Sequence, residues 1–141
     1  MGNFLALQYQ NIFGMEAKIV TQNHRNNRMS IIFSNISGDF DVAKIISVLS
    51  HASDSRNFKQ GFKVLLDQRN IRKPAIREQI VAIASHMQRG AHVFGGSKWA
   101  VVVSEDASYG MMRMLSILVE DVPIKVDVFR DYDAAMQWLS A

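Results

Sequence analysis

The residue types best suited to chemistry gather in one run, "FKVLLDQRNIRKPAIREQ", over residues 62–79. It reads as a buried strand, 62–67, that ends in a charged loop and then opens a helix. Asp67 and Arg69 stand at the strand's tip, and Arg72 and Arg77 follow on the way into the helix. Open α/β sheets collect ligands beyond the carboxyl ends of their strands. A helix N-terminus with guanidinium forks beside it makes an anion site, fit for phosphate, carboxylate or an acidic protein loop. The competing reading is internal: Asp67 accepts backbone N–H bonds at the turn, and Arg69 pairs with it or with another acid. An Arg fork serves either purpose.

Other constellations fail on spacing. The four histidines, His24, His51, His86 and His92, are scattered, none with a second ligand at the spacing of a metal motif, and His51 and His86 fall on solvent-facing helix positions. "GGSKW" places Ser97 before Lys98 and ahead of a strand, the reverse of a Walker loop. No G-x-S-x-G elbow is present. The acids cluster at helix starts, where capping and the helix dipole account for them. Neither a metal nor a cofactor is expected, and no catalytic residue can be named.

Composition bounds the rest. The chain has 141 residues, 48% apolar and 21% charged, which fits one globular domain able to bury its own core. It has no cysteine, so disulfides, thiolate nucleophiles and cysteine-ligated zinc are excluded. The opening residues lack the basic start and apolar stretch of a signal peptide, and no apolar run reaches a membrane span, so a cytoplasmic protein is expected. The net charge is +3, unevenly spread. Seven basic residues and one acid lie between Arg56 and Arg77, against three basic residues and seven acids from Ser104 onward. Such asymmetry steers anionic partners or simply solvates one face. No nucleic-acid-binding motif accompanies it.

The elements that must position these residues follow from periodicity. Residues 1–14 show neither period nor charge and read as an N-terminal extension to a domain over 15–141. Loose alternation over 16–24, the pair Asn26-Asn27 and the apolar run 29–36 predict an antiparallel hairpin. Asp39 or Asp41 caps a helix whose stripe is Val42, Ile45, Ile46, Leu49 and Ala52. Pro74 suits the first turn of the next helix, with Ile76, Ile80, Ile83, Ala84 and Met87 on its apolar face and Gly90 as its stop. Residues 99–103 form a strand apolar on both faces. Ser104 caps the helix after it, with a stripe of Ala107, Met111, Met114, Leu115, Leu118 and Val119; Met112 falls off that stripe. Met111 and Met112 are then adaptable apolar contacts for a ligand or partner. Gly110 leaves room for close approach of a strand, ligand or second subunit. A strand over 124–129 and a terminal helix capped by Asp131, carrying Ala135, Trp138 and Leu139, complete the chain. The order is ββαβαβα-βα: an α/β fold with a mixed, mostly parallel single sheet and right-handed crossovers.

Three patches then carry a resemblance. They are Phe58-Lys59-x-Gly61-Phe62-x-Val64-Leu65-x-Asp67-x-Arg69; Ala100-Val101-Val102-Val103-Ser104 with Tyr109-Gly110 and Arg113; and Val128-Phe129-Arg130-Asp131 with Ala135, Trp138 and Leu139. Their order and spacing resemble the SpoIIAA-like family of the STAS superfamily over residues 15–141. The resemblance implies four or five strands with helices mainly on one side, and a binding or regulatory module instead of an enzyme. Some relatives are compared with CRAL-TRIO lipid carriers, so a lipid or fatty-acid binder is the alternative. Regulatory relatives carry a phosphorylatable Ser or Thr after the third strand; here "DQRNIRKPAIREQ" has no hydroxyl side chain, which argues against that switch.

The expected surface joins the 67–77 loop to the 107–118 helix: Asp67, Arg69, Arg72, Arg77, Ser104, Tyr109, Met111, Met112, Arg113 and Arg130. Its expected partner is a protein or a small apolar or anionic ligand, with a homodimer as a further expectation. Nucleic acid and a membrane span are not expected.

Overall fold

Two stretches too apolar to face water on either side set the centre of the molecule. In the computed structural model they are β5 (Lys63–Asp67) and β7 (Lys98–Val102), side by side and parallel. The structure describes residues 3–12, 15–24, 27–54, 62–91 and 95–141. Six strands form the main sheet in the order β1-β2-β3-β5-β7-β8, with β1 at Asn3–Ile12, β2 at Met15–His24, β3 at Asn27–Asn35 and β8 at Lys125–Phe129. From β3 to β8 the pairing is parallel; β1, β2 and β3 are antiparallel. The mixed, mostly parallel sheet agrees with the sequence reading. The strand count is six because residues 3–12, which show no period, pair along the length of β2. The register sets His24 opposite Asn27; the hairpin turn itself lies outside the described residues, as does the 58–61 patch.

Side chains alternate across the sheet and divide the core in two. On one face Ile32, Val64, Leu66, Trp99 and Val101 pack under α1 (Val42–Asp54), α2 (Arg77–Arg89) and α3 (Asp106–Leu118). On the other, Ile31, Leu65, Ala100 and Val102 pack against Ala135 and Leu139 of α4 (Tyr132–Ser140). Three helices on one face and one on the other match the expectation of helices mainly on one side. Asp131 caps α4 as expected, accepting from Ala134 N at 3.0 Å. At its other end Lys63 Nζ donates to the Leu139 carbonyl, and Lys98 Nζ donates to the Trp138 carbonyl at 3.0 Å. These cations meet orphan carbonyls at the negative end of the helix dipole. Burial, and then the neighbouring Lys98 charge, lower the Lys63 pKa.

Several local expectations need correction. Pro74 does not enter the first turn of a helix: α2 begins at Arg77. A residue before proline is pushed out of helical space, and residues 71–73 instead form β6 (Ile71–Lys73), which pairs with β4 (Gly38–Asp39) as a separate two-stranded ribbon. Ile76 is correspondingly exposed, while Ile80, Ile83, Ala84 and Met87 are buried as read. The Gln79 side chain then serves the start of α2, accepting from Ile76 N at 2.9 Å. Ser104 does not cap α3, whose N-cap is Glu105. The stripe of α3 is turned by one residue: Ser108, Met112, Leu115 and Val119 are buried, Met111 and Met114 are half-buried, and Ala107 and Leu118 face solvent. His86 is half-buried, not exposed as read.

The turned stripe is testable. Met112→Ala should cost about 2–5 kcal/mol, the range for emptying a core site, whereas Met111→Ala should cost about 1 kcal/mol, both read by urea unfolding. Gly110 tests the same helix differently. Among the described residues nothing lies within 4 Å of where a Cβ would stand at Gly110, so no described strand approaches it. Gly110→Ala should therefore stabilise by about 0.5–1 kcal/mol through helix propensity alone, seen as a rise in melting temperature.

Candidate functional site: the strand-tip rim

The rim is built by hydrogen bonds that continue the sheet past the ends of its strands. Ile36 N donates to Asp67 O at 2.9 Å, Gln68 N to Val102 O at 2.8 Å, and Val103 N to Phe129 O at 2.9 Å. The residues that follow, at positions 67–69, 103–106 and 129–132, are thereby fixed beside one another. The sequence reading had placed Asp67, Ser104 and Arg130 at such tips, and the three tips adjoin. Ser104 Oγ donates to the Arg69 carbonyl at 2.9 Å, tying the tip of β7 to the turn after β5.

Asp67 and Arg69 form a fork-to-fork pair: Nε to Oδ1 at 2.9 Å and Nη2 to Oδ2 at 2.8 Å. Arg69 N also donates to Asp67 Oδ1 at 3.1 Å. The internal pairing foreseen as the alternative for these two residues is thus the arrangement found. The Asp67 carboxylate is only 14% exposed while the Arg69 side chain is 45% exposed, so the cation is the presented partner. The side-chain hydrogen bond from Arg69 outweighs burial and lowers the Asp67 pKa below its ordinary 3.8. The outer face of the guanidinium lies 5.1 Å over the Tyr132 ring. Burial is the main cause raising the Tyr132 pKa, with the Asp67 charge next.

A second unit of the same design stands at the β8 tip, across β7 from the first. Arg130 Nη2 donates to Asp106 Oδ1 at 2.6 Å, and its guanidinium lies 4.7 Å over the Tyr109 ring. Arg130 and Tyr109 were named from sequence; Tyr132 and Asp106 were not. The available signal was position, since Tyr132 follows "FRD" past the β8 tip and Asp106 opens the helix after β7. Gln68 was also missed. It is buried, and its Nε2 contacts the Met112 sulfur at 3.6 Å, which joins the 67–77 segment to α3 inside the protein.

The remaining named residues separate. Arg72 is 78% exposed and pairs with Asp39 at 3.0 Å across the β4–β6 ribbon. Arg77 is exposed in the first turn of α2. Met112 belongs to the core, and Met111 packs against it. Arg113 points away from the rim, 3.9 Å from Asp127 at the free edge of β8.

The chain is similar to an uncharacterised protein of the DUF3478 family with a SpoIIAA-like fold from Shewanella loihica PV-4. The identity is 11%, the match covers 99% of this chain and 95% of that one, and the TM-score is 0.49. No protein-family profile matches the chain, and no curated protein matches it. Among the described residues no helix is long and apolar enough to cross a membrane.

The Asp67–Arg69 pair yields a pH prediction. A carboxylate whose folded pKa lies below its unfolded value stabilises the fold above the unfolded value, and that contribution is lost as pH falls through the folded pKa. Acid unfolding of the wild type should therefore steepen below about pH 4, and Asp67→Asn should flatten that limb. Equal slopes for the two proteins, measured by circular dichroism, would show that the fork contributes nothing.

Proposed function

We propose that this protein is a non-catalytic binding module that holds a protein partner on its strand-tip rim. The observation that carries the reading is the repeated Arg-on-Tyr unit: two half-exposed guanidinium groups, each paired with a carboxylate and stacked on a phenol ring, at the tips of β5 and β8 on either side of β7. Arg and Tyr are the residues that dominate protein interfaces, because each combines a flat apolar surface with directional hydrogen bonding. Stacking and ion pairing hold the side chains in one geometry beforehand, which lowers the entropy lost on docking. Exposed Ile76, at the start of α2, adds apolar surface beyond the β4–β6 ribbon.

The same features speak for holding a partner instead of transforming a substrate. A general base needs a carboxylate poised near the working pH, whereas Asp67 is occupied by Arg69 and held ionised. The lipid-carrier alternative calls for an apolar cavity under α3; Met112, Leu115 and Val119 occupy that position within the main core.

The test is affinity purification from the native host with three baits: wild type, Arg69→Ala/Arg130→Ala, and an Arg89→Ala control on α2. A protein retained by wild type and control and depleted about tenfold or more on the rim variant is the expected result. Identical recovery on all three baits, with the rim variant folded by circular dichroism, would refute the reading.

A further inference from the structure

The free edge of the sheet has a self-complementary pattern of its own, away from the rim. β8 pairs with β7 on one side and ends the sheet on the other. Lys125 N donates to Ser97 O, and Phe129 O accepts from Val103 N, so the backbone groups of Lys125 and Phe129 point toward β7. Backbone direction alternates along a strand, which turns the groups of Val126 and Val128 outward. A groove of about 700 Å³ runs along this edge, lined by β8, by Arg113 and Ser116 of α3, by Glu120 in the turn after α3, and by Trp138 of α4. The outward Val128 N–H is met only locally, donating to Asp127 Oδ1 of its own strand at 2.8 Å.

We propose that this edge pairs with the β8 edge of a second copy of the chain, antiparallel and centred on Val126. Symmetry restricts the registers, and charge chooses among them. A two-fold axis at position 125 sets Lys125 against its own copy, and one at Asp127 sets two carboxylates face to face. An axis at Val126 sets Lys125 opposite the partner's Asp127, and Asp127 opposite the partner's Lys125. These are non-hydrogen-bonded positions, where Cα atoms approach to about 4.5 Å and opposite charges interact best. Val126 N–H and C=O then exchange bonds with the partner's Val126, and Val128 N–H exchanges its local carboxylate for the carbonyl of the partner's Ile124.

The helix above the edge repeats the pattern. Arg113 on α3 and Glu120 in the turn just after it both line the groove, and the axis that reverses β8 also reverses this segment. Arg113, freed from Asp127, comes to face the partner's Glu120. Ile117, between them and 55% exposed, gains apolar cover. The two rims then stand at opposite ends of a continuous sheet, each open to its own partner. This inference is independent of what the rim binds.

Charges on an edge strand also serve to keep copies apart, and that is the rival outcome. Sedimentation velocity on the full chain decides between them. Wild type should be a dimer. Lys125→Asp alone and Asp127→Lys alone each place like charges across the axis and should raise the dissociation constant about tenfold or more. An equimolar mixture of the two variants restores both opposite pairs and should form a heterodimer as tight as the wild-type dimer. A monomeric wild type, a dimer indifferent to either substitution, or variants that stay monomeric when mixed would each overturn the proposal.

Discussion

The arrangement depends on one constraint: β5 and β7 are covered on both faces and cannot slide. Val64, Leu66, Trp99 and Val101 face three helices, while Leu65, Ala100 and Val102 face α4. A one-residue slip would exchange every side chain between the two cores. It would also carry Asp67 to the wrong side of the sheet. Hydrogen bonds at Asp67 O, Val102 O and Phe129 O carry the same register one step beyond the regular strands. Rim geometry is therefore a consequence of core packing, and loop stiffness has little to do with it.

Charge follows the same frame. Lys63, Lys98 and Lys125 stand in register at the amino ends of three parallel strands. Two of them meet the carbonyl end of α4, and Lys98 also lies 4.7 Å over the Trp138 ring. The opposite end of α4 carries Asp131 as its cap and Tyr132 under Arg69. The helix is thus held by cations below and ends in a stacked cation above. Much of the basic character visible along the chain between Arg56 and Arg77 is spent locally in this way, on helix carbonyls and on Asp39 and Asp67.

What the sequence conveyed was whatever depends on burial alone. β5, β7, β8 and the apolar face of α2 from Ile80 to Met87 are runs of unambiguous residues, and the structure has them so. The misses share a cause: each was decided by contacts distant in sequence. Residues 3–12 have no period because their order comes from pairing with β2. Residues 71–73 become a strand because residues 38–39 lie alongside. In α3, methionine at 111, 112 and 114 makes two phases of the stripe nearly equal in hydrophobicity. In the structure Met112 takes the buried phase within the main core, with the buried Gln68 amide 3.6 Å from its sulfur. The candidate site was legible as positions at strand tips. The Arg–Tyr pairings were not, since stacking partners come from separate elements.

With its phase settled, α3 explains why the rim and the free edge belong to one design. Its core stripe is 108, 112, 115 and 119. Beside it runs a second stripe at the same spacing, Asp106, Tyr109, Arg113, Ser116 and Glu120. The upper two meet Arg130, the third meets Asp127, and the lower three line the groove at β8. A stripe of polar residues next to a core stripe is ordinarily solvated. Here it lies along the boundary strand of the sheet, so Asp106 faces Arg130 and Arg113 faces Asp127. Turning the helix by one residue, as the methionine pattern alone allows, would bury Met111 and swing Tyr109 and Arg113 off these partners. Packing of Met112 in the core therefore fixes where the polar stripe points, and one buried side chain sets the position of both the stacked arginine above and the charged edge below.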